Sequence, residues 1–470
     1  MPLSALRKRL GEFFQLTTPA VWVLLALSIG SAFIVLRPSG EAHAGMRLWL
    51  FAKTHKEVYV DVASQWNREQ PTSVTQVDTL LIDGMALERR LLSAFMSGTP
   101  VADLVETERS VAAKTFTGPL EDIGFVDLTD RLREEGLMDA INAPSFAPWT
   151  SRGRIFGIPH DVHPVMLVYR ADVVEAAAID LSRVETWDEF FAAMRPLMTD
   201  EDGDGRPDRY VLNFWPTQRQ LLEILLLQAE GTLFNEHERL HLDSERNAHL
   251  LATLATWCGG PRRVVVDAAE FTAPGNALKL QGVVLAALMP DWLAGIWKSD
   301  LPALGGKLKL MPLPAWEKGG RRTSVIGGTM LGIPKDTRDF EAAWAFAKRL
   351  YLDRETHAKF FARTTIIPPV KASWEDPVFS QPDPYFSGQI SGRLFIEQAA
   401  AVPPRTSSPY NDLAVGKLCD VLIGLTDRAN RERVSDPADL LPEARERLAL
   451  VQAELQRLIE RNVFLREPAE

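Results

Sequence analysis

The hydrophobic and polar positions of this chain follow two alternating periods. Met46–Ala52 (MRLWLFA) is an apolar run that gives way to the polar stretch KTHKE, which predicts a strand and then a loop. Val58, Val62 and Trp66 recur at a spacing near four, which predicts a helix closed by Pro71. TSVTQVDTL reads as a second strand, MALERRLLSAFMSG as an amphipathic helix with Gly98 as its C-cap, and VADLVET as a third strand. Strand–helix–strand–helix–strand with crossovers of this length predicts a parallel sheet covered by helices. The pattern returns downstream. FGIPHDVHPVMLVY holds a strand-like run, and TWDEFFAAMRPLM is a helix with Thr186 as N-cap and Glu189 completing a capping box. RQLLEILLLQAEG is an apolar helix stopped by Gly231, and VVLAALM (Val283–Met289) is a short buried strand. FEAAWAFAKRLYL and Leu441–Ile459 are further helices. The chain ends and the Pro/Ser-rich stretch Val402–Pro409 read as disordered.

One segment belongs to neither period. Ala20–Leu36 has no charge and follows Arg7, Lys8 and Arg9. Its length is at the short end of the roughly 17–25 residues that span a bilayer. The positive flank places the first residue in the cytoplasm and everything after Arg37 outside. Ala42–Gly45 (AHAG) resembles a signal-peptide cleavage site, but the apolar run exceeds the roughly 7–15 residues of a signal core. The expectation is therefore a cytoplasmic stub, a transmembrane anchor and a linker over residues 1–45, in a bacterial cell membrane. A removed signal peptide is the alternative.

Composition narrows the function. Of 470 residues, 46% are hydrophobic and 24% charged, an ordinary globular balance. A net charge of −10 argues against a nucleic-acid binder. Cys258 and Cys419 lie in no zinc-binding spacing, so they read as small buried residues, with a disulfide between them left open. No GxSxG, HExxH or GxxxxGK[ST] occurs, so no enzyme is expected and no cofactor is required.

TDEDGDGRPDRY (Thr199–Tyr210) starts like a calcium loop. Asp200, Asp202 and Asp204 fit ligand positions, Asp208 a later one, and Gly205 the turn glycine. The position that calls for a bidentate Glu is Val211, and YVLNFW after it reads as a strand rather than a helix. A solvated acidic turn and a calcium ion stapling that turn are the two readings.

Six stretches, taken in order, carry a resemblance: LWLFAKTH, LLSAFMSGTPVADLV, GRIFGIPHDVHPVMLVYRADVV, ETWDEFFAAMRPL, AALMPDWLAGI and, after MPLPAW, IGGTMLGIPKDTRDFEAAWAFAKRL. Over residues 46–462 the chain resembles the extracellular solute-binding proteins of ABC importers, in the sugar-binding group that includes the maltodextrin-binding proteins. It departs from the family at Tyr169-Arg170 and at Glu230-Gly231. The resemblance implies an α/β fold of the two-lobed periplasmic-binding-protein type with three hinge crossings, preceded here by the transmembrane helix. Lobe one is expected over 46–158 and 314–368, and lobe two over 162–310 and 370–462, with crossings near IPHDV, MPLPAW and IIPPV.

In α/β sheets ligands bind outside the carboxyl ends of strands. That rule alone selects Lys53 and His55, Glu106 and Glu108, and Asp291 and Trp292. The resemblance places ligand contacts in the same loops. It adds Phe214 or Trp215 as an aromatic, Gly327 and Gly328 as close backbone, Tyr410 as a late aromatic, and Asp161 and His163 from the hinge. Bland readings stand beside these: Trp292 as core, His55 as a solvated loop residue, Glu106 as a helix cap. Trp66, Trp187 and Trp344 lie on helix faces and read as core. What the resemblance implies is a monomer that captures a carbohydrate in the inter-lobe cleft and delivers it to permease subunits. A solute-sensing ectodomain, or a binder of a non-sugar solute, is the alternative.

Overall fold

In the computed structural model, residues 18–36, 45–70, 72–235, 238–405 and 407–462 are described. The chain divides into two compact units, Met1–Gly45 and Met46–Glu470. Arg7, Lys8, Arg9, Arg37, Ala42–Ala44 and Pro71 lie outside the described residues.

In the first unit Pro19–Leu36 is an 18-residue helix. At 1.5 Å per residue it is about 27 Å long, against about 30 Å of bilayer hydrocarbon. Among the described residues no helix is long and apolar enough to cross a membrane.

Among the described residues the second unit contains thirteen short strands: β1 Met46–Leu50, β2 Val77–Leu81, β3 Leu104–Glu108, β4 Thr150–Ser151, β5 Arg154–Ile155, β6 Ile158–Pro159, β7 Pro164–Arg170, β8 Tyr210–Asn213, β9 Val265–Val266, β10 Val284–Pro290, β11 Leu308–Pro312, β12 Ser324–Val325 and β13 Thr329–Gly332. One sheet runs β2-β1-β3-β13-β6, and a second runs β11-β7-β10-β8-β9 with β12 also on β7. β1 is parallel to β2 and β3, as the alternating pattern predicts, while β13 is antiparallel to both of its neighbours. In the second sheet β7 is antiparallel to β10, β11 and β12. β10 is buried along its whole length, which is why it reads as an uninterrupted apolar run.

Local signals hold where packing agrees with them. Thr186 and Glu189 form the capping box that opens the helix Trp187–Met194. Gly98 ends the helix Gly84–Ser97 in the left-handed conformation, at φ 64°. Trp187 and Trp344 are core residues, and Trp66 packs half-buried against the core. Cys258 and Cys419 are buried and free.

Three expectations need correction. KTHKE is not a loop. The helix Lys53–Glu69 begins there, and its first turn is polar because it opens into a cleft, so the apolar period starts late. The passage from the second sheet to the first is not at MPLPAW. Leu313 lies in the second sheet's core, Ala315 N–H donates to Glu185 O (2.7 Å), and β12 returns to pair with β7 after a turn closed by Leu313 N–H donating to Arg322 O (2.8 Å). The chain crosses at Ile326–Gly328 instead. Nor is Val402–Pro409 loose: Val402, Arg405, Ser407 and Ser408 are all buried, and only Thr406 lies outside the described residues.

Candidate functional site

Strands that end in polar residues leave those residues around the gap between the two sheets. The gap is a cleft of about 820 Å³. Phe51, Lys53, His55 and Glu57 reach it from beyond β1, and Glu108 and Arg109 from the end of β3. Trp292 reaches it from the end of β10, and Arg219 and Glu223 from the helix Arg219–Gln228. His163, Gly327, Gly328 and Arg405 complete its lining near the chain passages, with Arg363 and Asp412 also facing it.

Phe51, Phe271 and Trp292 line the cleft, and the last two face each other. Trp292 is half-buried and its indole N–H donates to Ile326 O at 3.2 Å. Phe271 lies nearly parallel to it, with centroids 6.2 Å apart and planes 12° apart. Phe271 is 60% exposed and sits at φ 60°, a left-handed backbone that a bulky side chain rarely adopts.

Deeper in the cleft lie charges. Arg109 Nη2 donates to both oxygens of Glu223, at 2.7 and 2.9 Å, with side chains 10% and 8% exposed. Arg109 follows the first sheet and Glu223 belongs to the helix on the second, so the pair bridges the cleft. Arg405 adds a second guanidinium, its Nη1 3.9 Å from Glu223 and its Nη2 donating to Gly327 O. Burial, and then the Arg109 charge beside it, push the Arg405 guanidinium down to about 9.

Beneath the cleft surface is a chain of buried acids and histidines. Tyr351 Oη donates to Glu106 at 2.8 Å, and His55 Nδ1 meets the same carboxylate at 3.0 Å. His55 also stacks on His160, 4.7 Å away. Burial alone would raise the Glu106 carboxyl, but His55 holds it below its ordinary value. His163 lies between Asp161 (3.0 Å) and Asp291 (2.7 Å). Burial opposes its charge, yet Asp161 and Asp291 raise it to about 10.

Lys53, His55, Glu108, His163, Trp292, Gly327 and Gly328 are therefore brought together at the cleft. Glu106, Asp161 and Asp291 support them from beneath, fully or nearly buried and hydrogen-bonded. Phe214, Trp215 and Tyr410 do not line the cleft. Phe214 is in the second core, and Trp215 lies under the Arg263 guanidinium, 5.1 Å from its ring centroid. Arg263 also covers Tyr210 of β8, 4.7 Å from its ring centroid. Tyr410 packs half-buried on the second core, and the next helical turn offers Asp412 and Val415 to the cleft instead.

Gly327 has φ 91°, and a Cβ there would lie 2.9 Å from His163 and 3.0 Å from the Trp292 indole nitrogen. Close approach of backbone to these two rings requires glycine. Sequence reasoning missed Phe271, Arg109, Glu223, Arg363, Arg405 and Asp412. Arg109 adjoins Glu108 at a strand end, so the strand-end rule reaches it. The others come from polar loops or helix faces that carry no such signal.

The Asp-rich turn stands apart, since none of its residues lines the cleft. Carboxylate oxygens of Asp200, Asp202 and Asp208 lie within 4.8 Å of one another, all exposed, and Asp204 is outside that group. The turn closes on its own acids: Asp200 accepts from Gly203 N (2.8 Å) and Gly205 N (3.0 Å), and Asp208 from Glu201 N (2.6 Å). Asp204 accepts from Arg206 N at 2.8 Å.

Residues 52–355 match the family described as bacterial extracellular solute-binding protein, which is more than half of the chain. The chain belongs to this family. Two relatives are each called arabinooligosaccharide-binding protein. The one from Halalkalibacterium halodurans is 25% identical over 86% of this chain and 89% of its own. That from Bacillus subtilis is 25% identical over 66% and 70%. Among solved structures, the sugar-binding protein MalE from Xanthomonas citri superimposes with a TM-score of 0.69 at 18% identity, over 88% of this chain and 99% of that one. The two-lobed α/β fold of the family is thus present here, with the cleft between the lobes.

Proposed function

We propose that this family member is the solute-capturing component of an ABC-type importer and that its solute is a carbohydrate. The observation that carries the reading is the pairing of Trp292 and Phe271 in one cleft with polar groups from both sheets. Sugar rings present apolar faces to aromatic plates and hydroxyls that must be satisfied when they lose water. The relatives' name makes arabinose oligosaccharides the first ligands to test.

Capture proceeds by closure. Residues 46–159 and 329–364 act as one lobe, and 164–325 with 371–462 as the other. The three passages, near residues 160–163, 326–328 and 365–370, serve as hinges. A solute touching both lobes favours the closed state by its differential affinity, and the closed monomer docks on the permease and unloads there. No catalytic step is assigned to the cleft, where Glu223 and Glu57 are paired with Arg109 and Arg363.

The helix Pro19–Leu36 supports membrane attachment, with the cleft on the periplasmic or extracellular side. It is apolar around its circumference, with Val23, Leu24, Leu27 and Ile29 all more than half exposed. A tether of this kind raises the local concentration near the permease.

Calorimetry of the detergent-solubilised full-length chain tests the reading, using arabino- and malto-oligosaccharides, amino acids and polyamines. A sugar hit with unchanged sugar after incubation is expected. A hit among amino acids or polyamines alone, or turnover of chromogenic glycosides, refutes it.

A further inference from the structure

Both ring nitrogens of His163 face carboxylate oxygens, Nε2 toward Asp161 Oδ2 at 3.0 Å and Nδ1 toward Asp291 Oδ1 at 2.7 Å. Ionised carboxylates only accept, so a ring that donates to both of them is an imidazolium. All three side chains are at most 5% exposed. His163 itself lies at φ 55°, a backbone that a non-glycine residue holds only when its surroundings fix it.

The two carboxylates reach every chain passage between the sheets. Asp161 and His163 belong to the first passage. Asp161 Oδ2 accepts from Thr329 N (3.1 Å), at the end of the second. Asp291 Oδ2 accepts from Ile367 N (2.7 Å) in the third, where Thr365 Oγ1 also donates to Asp291 O. Asp291 Oδ1 further accepts from the backbone N–H of Trp292 (2.7 Å), so the aromatic plate starts from the same carboxylate. The other charged and titratable neighbours are His160, 3.2 Å from Asp161, then His55 stacked on His160, and Arg405, whose charge lies near Asp161.

We propose that His163 is a positioning residue for solute capture: by bridging Asp161 and Asp291 it couples the Trp292 plate to all three passages and fixes the relative orientation of the lobes. This rests on the capture reading above, but its central consequence concerns the solute-free protein. Without the bridge, two buried carboxylates face each other at the hinge, each still holding a different passage. The lobes then sample a wider range of orientations, and a solute must supply the ordering that His163 supplies now.

Spin labels at Ser93→Cys and Asp427→Cys, exposed on helices of opposite lobes, report the inter-lobe distance of the full-length chain by electron–electron resonance. His163→Gln, which removes the charge and keeps donors on one nitrogen only, is expected to broaden the solute-free distance distribution relative to wild type. It is also expected to weaken oligosaccharide binding by about tenfold or more. Asp161→Asn serves as the second variant should His163→Gln fail to fold, with the same broadening expected. Nitrogen-15 spectra of the wild type at pH 8 are expected to show both His163 nitrogens protonated, a signature that mere packing does not produce. A neutral ring at that pH, or a wild-type distance distribution in a folded variant, overturns the proposal. The label and nitrogen measurements need no sugar, so failure of every sugar to bind would count against the carbohydrate reading and leave these two results to decide the role of His163.

Discussion

Replacing Glu223 by Gln should be the most damaging single change in the cleft that leaves side-chain volume intact. Glu223 lies 2.7 Å from Arg109 and 3.9 Å from Arg405, with the Glu223 and Arg109 side chains about nine-tenths buried. At an effective dielectric of about 20, the closer pair is worth about 6 kcal/mol of attraction before desolvation. Gln keeps one acceptor but removes the charge, which leaves two guanidiniums buried side by side. Losing one partner of a buried pair costs about 3–5 kcal/mol. If each lobe melts as a unit of about 150–250 residues, this lowers the melting temperature by roughly 6–20 °C. The double variant Arg109→Met/Glu223→Met should recover part of the loss, because an apolar pair of similar size needs no compensation while Arg405 still lacks its carboxylate. Calorimetric melts of wild type, Glu223→Gln and the Met double variant, with urea unfolding as a check, measure the loss and its recovery. A Glu223→Gln cost below about 1 kcal/mol would refute the reasoning, since it would mean that water screens this pair as on an open surface.

Four further expectations concern the cleft and the Asp-rich turn. Phe271→Gly should relieve the left-handed strain and stabilise the protein by about 1 kcal/mol while weakening solute binding about tenfold; calorimetry reads both, and unchanged affinity excludes Phe271 as a contact. Because His163 is raised from 6.5 to about 10 in the folded state, its contribution is complete below pH 6.5 and lost as pH rises toward 10. Wild-type stability should fall across that window, and His163→Gln should lack that part of the slope in urea titrations. Gly327→Ala should cost about 2 kcal/mol or more and impair binding, because its Cβ meets both His163 and the Trp292 indole; a wild-type melt would contradict the contact. Millimolar calcium should give no heat on titration, since the Asp200–Asp208 turn is already closed by its own hydrogen bonds; a saturable signal lost in Asp202→Asn would establish an ion there.

How much was legible depends on whether a residue's partners are near it in sequence. β1, β3 and β10 were readable from apolar runs, and their carboxyl ends pointed to Lys53, Glu108 and Trp292 without further help. Glu106, Asp161 and Asp291 were picked out as polar groups near strand ends, but sequence cannot tell a carboxylate that touches solute from one buried beneath it. That difference lies in partners such as Tyr351, Thr329 and Ile367, supplied by tertiary folding. Glu223 was hidden because its helix reads as a plain apolar one and its partner is 114 residues away. Arg405 lay in a stretch whose composition suggests disorder, and only burial against the glycines of the second passage reveals it. Phe271 had no signal at all: a lone aromatic in a polar loop gains its meaning from the ring beside it.

That neighbouring ring has a practical consequence. The chain has twelve tryptophans, and Trp292 alone among them lines the cleft. It is half-buried, with one phenyl ring beside it and a charged wall nearby. Its emission therefore responds to what fills the cleft. The protein thus carries an optical reporter of its own occupancy. Unlabelled titrations can follow capture in real time, with Trp292→Phe as the blank.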